Sequence, residues 1–121
     1  MKLREIRDIL DAEVICGEDR LDLEITIAGG SDLMSDVLAF GKPHILLLTG
    51  LSSTQSVRTA DIIDATAVVY VRGKKPVEEG VELAKKKGLP LLSTNYMMYT
   101  ACGLLYTRGL RGVSEVPAKK A

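Results

Sequence analysis

The chain has 121 residues, 46% hydrophobic and 26% charged, which suits one globular domain with its own core and excludes disorder over most of the length. Sixteen basic residues balance sixteen acidic ones, and with no Trp and one Phe the chain lacks both the charge and the stacking platforms expected of a nucleic-acid binder. The first ten residues, MKLREIRDIL, hold no apolar core of signal-peptide length, and the run Ile45-Leu46-Leu47-Leu48 is too short to cross a bilayer, so a cytoplasmic protein with no membrane contact is expected.

In chain order, Leu3, Ile6, Ile9 and Leu10 form an apolar stripe that predicts a short helix over 2–10. Glu13-Val14-Ile15-Cys16 reads as a strand ended by the turn cluster Gly17-Glu18-Asp19. Leu21, Leu23, Ile25 and Ile27 alternate with Asp22, Glu24 and Thr26, which predicts a second strand paired to the first through that turn. Ala28-Gly29-Gly30 breaks the pattern. Ser31 is then a candidate cap for a helix over 32–40, with Leu33, Met34, Val37 and Leu38 facing inward and Asp32 at its positive end. HILLLT, 44–49, suits a central parallel strand buried on both faces, followed by a glycine and hydroxyl loop and a helix over about 55–64.

The most legible stretch is ATAVVYVRGKKPVEEGVELAKKKGLPLLST, 65–94. Ala67 to Val71 is too brief for a helix and rich in β-branched residues, so it is a strand. Pro76 stands where a first helical residue belongs, Val77, Val81 and Ala84 supply the stripe, glutamates lead and lysines end the helix, and Gly88 closes it before Pro90 and the strand Leu91-Leu92. Such a strand, helix, strand unit implies a parallel pair. A last helix over 96–107 carries Met97, Met98, Tyr99, Ala101, Cys102, Leu104, Leu105 and Tyr106 with no charged face. It must be buried within the domain or against a second subunit, and the small domain favours a homodimer interface through Met97, Met98, Ala101, Leu104 and Leu105. The expected organisation is a domain over 1–107 and a flexible basic tail over 108–121. The fold class is α/β, a single layered domain with a central, mostly parallel sheet flanked by helices.

If the strands are parallel, three β-to-α turns share the carboxyl edge of the sheet, where open α/β sheets bind ligands. The candidate ligand residues are Thr49, Gly50, Ser52, Ser53 and Thr54 from the first turn, Arg72, Gly73 and Lys74 from the second, and Ser93 and Thr94 from the third. Hydroxyls and backbone N–H groups beside Arg72 and Lys74 suit a phosphate or carboxylate. The same residue types also serve as ordinary helix caps and turns. No GxxxxGK[ST] and no GxGxxG occurs. His44, the single histidine, stands at the start of a strand and away from this edge. Cys16 and Cys102 read as small hydrophobes, and the pairs Asp8 with Asp11, Asp19 with Asp22 and Asp61 with Asp64 as solvated charges. No catalytic residue, metal site or cofactor is assigned.

HILLLTG, RTADIID, VVYVRGKKP and ELAKKKGLPLLST, in that order and spacing, resemble the DRTGG domain family, with a likeness running from about Leu3 to Tyr106. Thr49-Gly50 is kept, whereas Leu51-Ser52-Ser53 stands where many members have Asp-Arg, and Arg72-Gly73 where they have two glycines, so the chain is similar to the small stand-alone members. The resemblance implies a compact α/β domain without catalysis of its own, of a kind found beside the catalytic part of some phosphotransacetylases and between CBS domains of regulated pyrophosphatases. There it contributes to dimerisation and to the response to adenine nucleotides. Stand-alone members are often encoded beside iron-hydrogenase or NADH-oxidising subunits. The resemblance carries no ligand residue over to a particular position.

The expected function is therefore a homodimeric regulatory or scaffold module that senses an adenine nucleotide or other anion. The alternatives are an accessory subunit of a hydrogenase or NADH-oxidising redox complex, and a small enzyme that holds a phosphorylated metabolite with Arg72 and Lys74.

Overall fold

The computed structural model describes residues 1–115. A six-stranded sheet carries five α-helices among the described residues: α1 (Leu3–Ile9), β1 (Glu13–Cys16), β2 (Ile27–Gly30), α2 (Met34–Phe40), β3 (Leu46–Thr49), α3 (Thr54–Ile62), β4 (Ala67–Tyr70), α4 (Glu78–Lys87), β5 (Leu91–Ser93), α5 (Met98–Thr107) and β6 (Arg111–Gly112). The strand order is β1-β5-β4-β3-β2-β6. β2 to β6 run parallel, and β1 pairs antiparallel with β5. The single α/β domain with a mostly parallel sheet is the class that the sequence pattern implies.

The central strands alternate between two cores. Leu46, Leu48, Ala67, Val69 and Leu92 pack under α1 and α5, with Leu3, Ile6, Ala101 and Leu105. Leu47, Val68, Tyr70 and Leu91 pack under α2, α3 and α4, with Met34, Val37, Val57, Ala60 and Ala84. Both faces of β3 and β4 are covered, so their every residue is buried and their sequences are continuous apolar runs.

The amino-terminal third departs from expectation. β1 does not pair with the segment that follows it. Residues 21–25 instead run beside the start of α1, where Leu23 and Leu21 carbonyls accept the Leu3 and Arg4 N–H groups at 2.9 Å each, satisfying donors that a helix start leaves open. Leu21 and Ile25 are buried there, which accounts for the alternation without a strand. The strand begins later and runs through the glycines that seemed to end it. A Cβ on Gly29 would stand 2.9 Å from the Phe40 ring, and one on Gly30 2.8 Å from the Met98 sulfur, so these glycines mark close packing and not a break.

Helix boundaries and faces shift for identifiable reasons. α2 starts at Met34 because the Ser31 hydroxyl accepts the Leu33 N–H at 3.0 Å in a turn that precedes the helix. Its inner stripe is then Met34 and Val37, and Leu33 and Leu38 face solvent at 57% and 50% exposure, against the expected inward placement. Pro76 lies ahead of α4 and is not its first residue. The Val77 N–H donates to the Ser52 carbonyl at 3.0 Å, making Val77 the cap residue and leaving its side chain exposed, while Gly80 packs toward α3. Gly88 closes α4 in the left-handed conformation, as the sequence implies. The stretch expected as a tail contributes to the fold: Leu110 is buried and β6 pairs with β2. The rest of that expectation, 116–121, lies outside the described residues.

Candidate functional site

The parallel strands bring the carboxyl ends of β2, β3, β4 and β5 to one edge, so the three turns singled out from sequence do meet. Backbone bonds lace them together. The Arg72 N–H donates to the Tyr96 carbonyl at 2.8 Å, the Gly73 N–H to the Thr94 carbonyl at 2.9 Å, and the Val77 N–H to Ser52 as described. Arg72 and Gly73 are consecutive left-handed residues, φ +62° and +68°, in a tight turn closed by the Lys74 N–H on the Val71 carbonyl at 3.1 Å. A left-handed arginine is uncommon, and the position favours Gly or Asn.

Several candidate hydroxyls are committed to the scaffold. Thr49 is fully buried and accepts the Leu51 N–H at 3.1 Å. Ser93 donates to the Lys74 carbonyl at 2.6 Å, and Thr94 to the Leu10 carbonyl at 2.6 Å while accepting the Tyr96 N–H at 3.3 Å. These bonds place the turns and leave the solvent-facing chemistry to Ser52, Ser53, Arg72 and Lys74, around the buried Gly50. Thr54 is the first residue of α3 and Ser53 its cap residue, whose side chain makes no capping bond.

At the centre of the edge lies a group the sequence reading assigned only to a helix end. Asp32 accepts the Gly50 N–H on Oδ1, at 2.5 Å, and its Oδ2 stands 3.5 Å from Arg72 Nη2. The same Nη2 donates to the Gly50 carbonyl at 3.3 Å. A backbone N–H and a guanidinium thus converge on one oxyanion, which is the donor set a phosphate or carboxylate ligand uses. The signal available in sequence was position alone: Ser31-Asp32 immediately follows the strand end Gly30 on the same edge.

Beneath the edge, Tyr70 is fully buried with its hydroxyl 2.8 Å from Ser56 Oγ, which also donates to the Ser53 carbonyl at 2.8 Å. Burial pushes the Tyr70 phenol up to about 12, the Ser56 bond opposing it. Burial likewise raises the thiols of Cys16 and Cys102, and neither is disulfide-bonded. His44 sits at the opposite, amino edge, its N–H on the Asp64 carbonyl at 2.8 Å.

The helix expected to form an interface divides between core and surface. Ala101 and Leu105 pack inside the monomer at 0% and 2% exposure, and so are not available to a partner: α5 lies across the sheet and needs them there. Met98 and Leu104 are half-buried. Met97, Tyr99 and Tyr106 face outward, Tyr99 at 90% exposure. Beside them an apolar groove of about 640 Å³ opens between α5 and the β2/β6 edge, lined by Ala28, Gly29, Leu48, Leu104, Tyr106 and Leu110.

No family model matches the chain, and no curated protein matches it. Among solved structures it is similar to the CBS and DRTGG domains of the regulatory region of Clostridium perfringens pyrophosphatase, complexed with the activator diadenosine tetraphosphate. The TM-score is 0.69 at 20% identity, over 98% of this chain and 51% of that one, so the chain spans about half its length. No helix among the described residues is long and apolar enough to cross a membrane. At that identity the likeness is one of fold, and this chain shares an α/β architecture present in that regulatory region.

Proposed function

We propose that this chain is a DRTGG-type regulatory module, without catalysis of its own, that senses an adenine nucleotide or other anion at the carboxyl edge of its sheet. The observation that carries the reading is the convergence of the Gly50 N–H and the Arg72 guanidinium on one oxyanion position, with Lys74, Ser52 and Ser53 on the adjoining turns. The fold likeness to a regulatory region bound to diadenosine tetraphosphate supports the same ligand class. The test is thermal unfolding with AMP, ATP and diadenosine tetraphosphate. A ligand present at ~100-fold its dissociation constant adds about 2.7 kcal/mol, about 10 °C for a domain of this size. Arg72→Gly, which suits the left-handed turn and removes the guanidinium, is expected to abolish that shift. No shift with any of the three anions refutes the reading.

The exposed side of α5 supports a second property, self-association or docking to a larger redox assembly as an accessory subunit. Tyr99, Met97 and Tyr106 stand beside the apolar groove, and such a surface is seldom left open on a monomer. Sedimentation at high micromolar concentration tests the homodimer. A monomer there, unchanged by Tyr99→Arg, removes it.

A further inference from the structure

We infer that Asp32 is a built-in competitor for the anion: its carboxylate occupies, from within the chain, the position a phosphoryl or carboxylate group would take, and ligand binding displaces it. The inference rests on the anion reading above. Asp32 is held in place from both sides. The Ser31 N–H donates to the Leu48 carbonyl at 3.0 Å, pinning the segment to β3, and the Ser31 hydroxyl accepts the Leu33 N–H, so the residue between them points at Gly50. One carboxylate oxygen then takes the Gly50 N–H and the other faces Arg72.

The contact is built to be released. Asp32 and Arg72 side chains are 56% and 39% exposed and 3.5 Å apart, a geometry in which an ion pair contributes little in water. A polyphosphate carries more charge than one carboxylate and satisfies the same two donors. Release has a structural consequence, because α2 is short and its cap residue, Leu33, supplies no side-chain bond. The Asp32 contact therefore steadies the lead-in to α2, and its loss hands the binding event to that helix.

The experiment titrates ATP and inorganic phosphate into wild type, Asp32→Ala, Asp32→Asn and Asp36→Ala, with the Gly50 amide followed by NMR. Asp36 is exposed on α2, the helix that follows Asp32, and makes no side-chain hydrogen bond or ion pair among the described residues, so it controls for charge alone. ATP is expected to bind Asp32→Ala about tenfold tighter than wild type. Asp36→Ala gains about twofold at most. Asp32→Asn, which keeps an acceptor for Gly50, falls between. In wild type the Gly50 amide resonance moves on saturation. Equal affinity in wild type and Asp32→Ala, or equal gains from both alanine variants, overturns the competitor and leaves the anion site standing. ATP binding to none of the four proteins overturns both.

Discussion

Ser56→Ala tests how the hidden hydroxyl pair beneath the edge holds α3 to the sheet. Ser56 has one hydroxyl hydrogen, and the Ser53 carbonyl 2.8 Å away can only accept, so Ser56 donates there and the Tyr70 phenol donates to Ser56. Removing the serine oxygen strands a phenol O–H in a site with no exposure, a cost of about 1–3 kcal/mol, and also deletes the bond to Ser53, about 1 kcal/mol more. Tyr70→Phe costs only about 0.5–1.5 kcal/mol, since Ser56 keeps its carbonyl. In the double variant nothing is stranded, so its loss is smaller than the sum of the singles by about 1–2 kcal/mol. Urea unfolding of the four proteins gives these values directly. An alkaline limb supplies an independent check. The folded-state value, about 12, lies above the usual 10 because burial penalises the ionised phenol, so the fold is unaffected below pH 10 and loses stability as pH rises from 10 toward 12. The amount is about 3 kcal/mol at 1.36 kcal/mol per unit. Tyr70→Phe is expected to flatten that limb. Strictly additive single variants refute the assignment of donor and acceptor, and an alkaline limb unchanged by Tyr70→Phe refutes the burial of its ionising phenol.

Three further outcomes are expected. Gly17→Ala places a Cβ 2.7 Å from the Pro90 Cα at a backbone φ of +90°, and is expected to cost about 2–4 kcal/mol in chemical denaturation by forcing β1 away from β5. Leu105→Ala opens the core under α5 and is expected to lose about 2–5 kcal/mol, whereas Tyr99→Ala changes monomer stability by less than about 0.5 kcal/mol; comparable losses would mean that α5 is seated differently. Because burial raises both thiols, iodoacetamide at pH 8 is expected to label Cys16 and Cys102 far more slowly than a free thiol, with rapid labelling only after unfolding, as read by mass spectrometry.

Much of the fold was legible because the signals are local. The β-branched run of β4, the charge gradient of α4 and the left-handed Gly88 that ends it require no knowledge of what lies across the sheet. That the three turns share one edge was equally legible, since parallel strands joined by helices put successive turns on one side. The individual roles at that edge were not. Thr94 looks like a ligand hydroxyl until the Leu10 carbonyl, 84 residues away in sequence, is found to take its hydrogen. Asp32 looks like a helix-end charge until Gly50 and Arg72 arrive opposite it.

By itself, then, the amino-acid sequence determined which segments between 44 and 107 become helices and strands, and that the sheet is mostly parallel, because periodicity, capping and turn chemistry act within a few residues; the strand at 111–112 was not among them. Tertiary structure decided the partner of β1, the fate of residues 21–25 and the inward face of α5. Alternation states that a segment has one dry side without naming what dries it. For residues 21–25 that surface is the start of α1, and for β1 it is the free edge of β5, a choice made by which backbone donors and strand edges remain unpaired once the parallel core has formed.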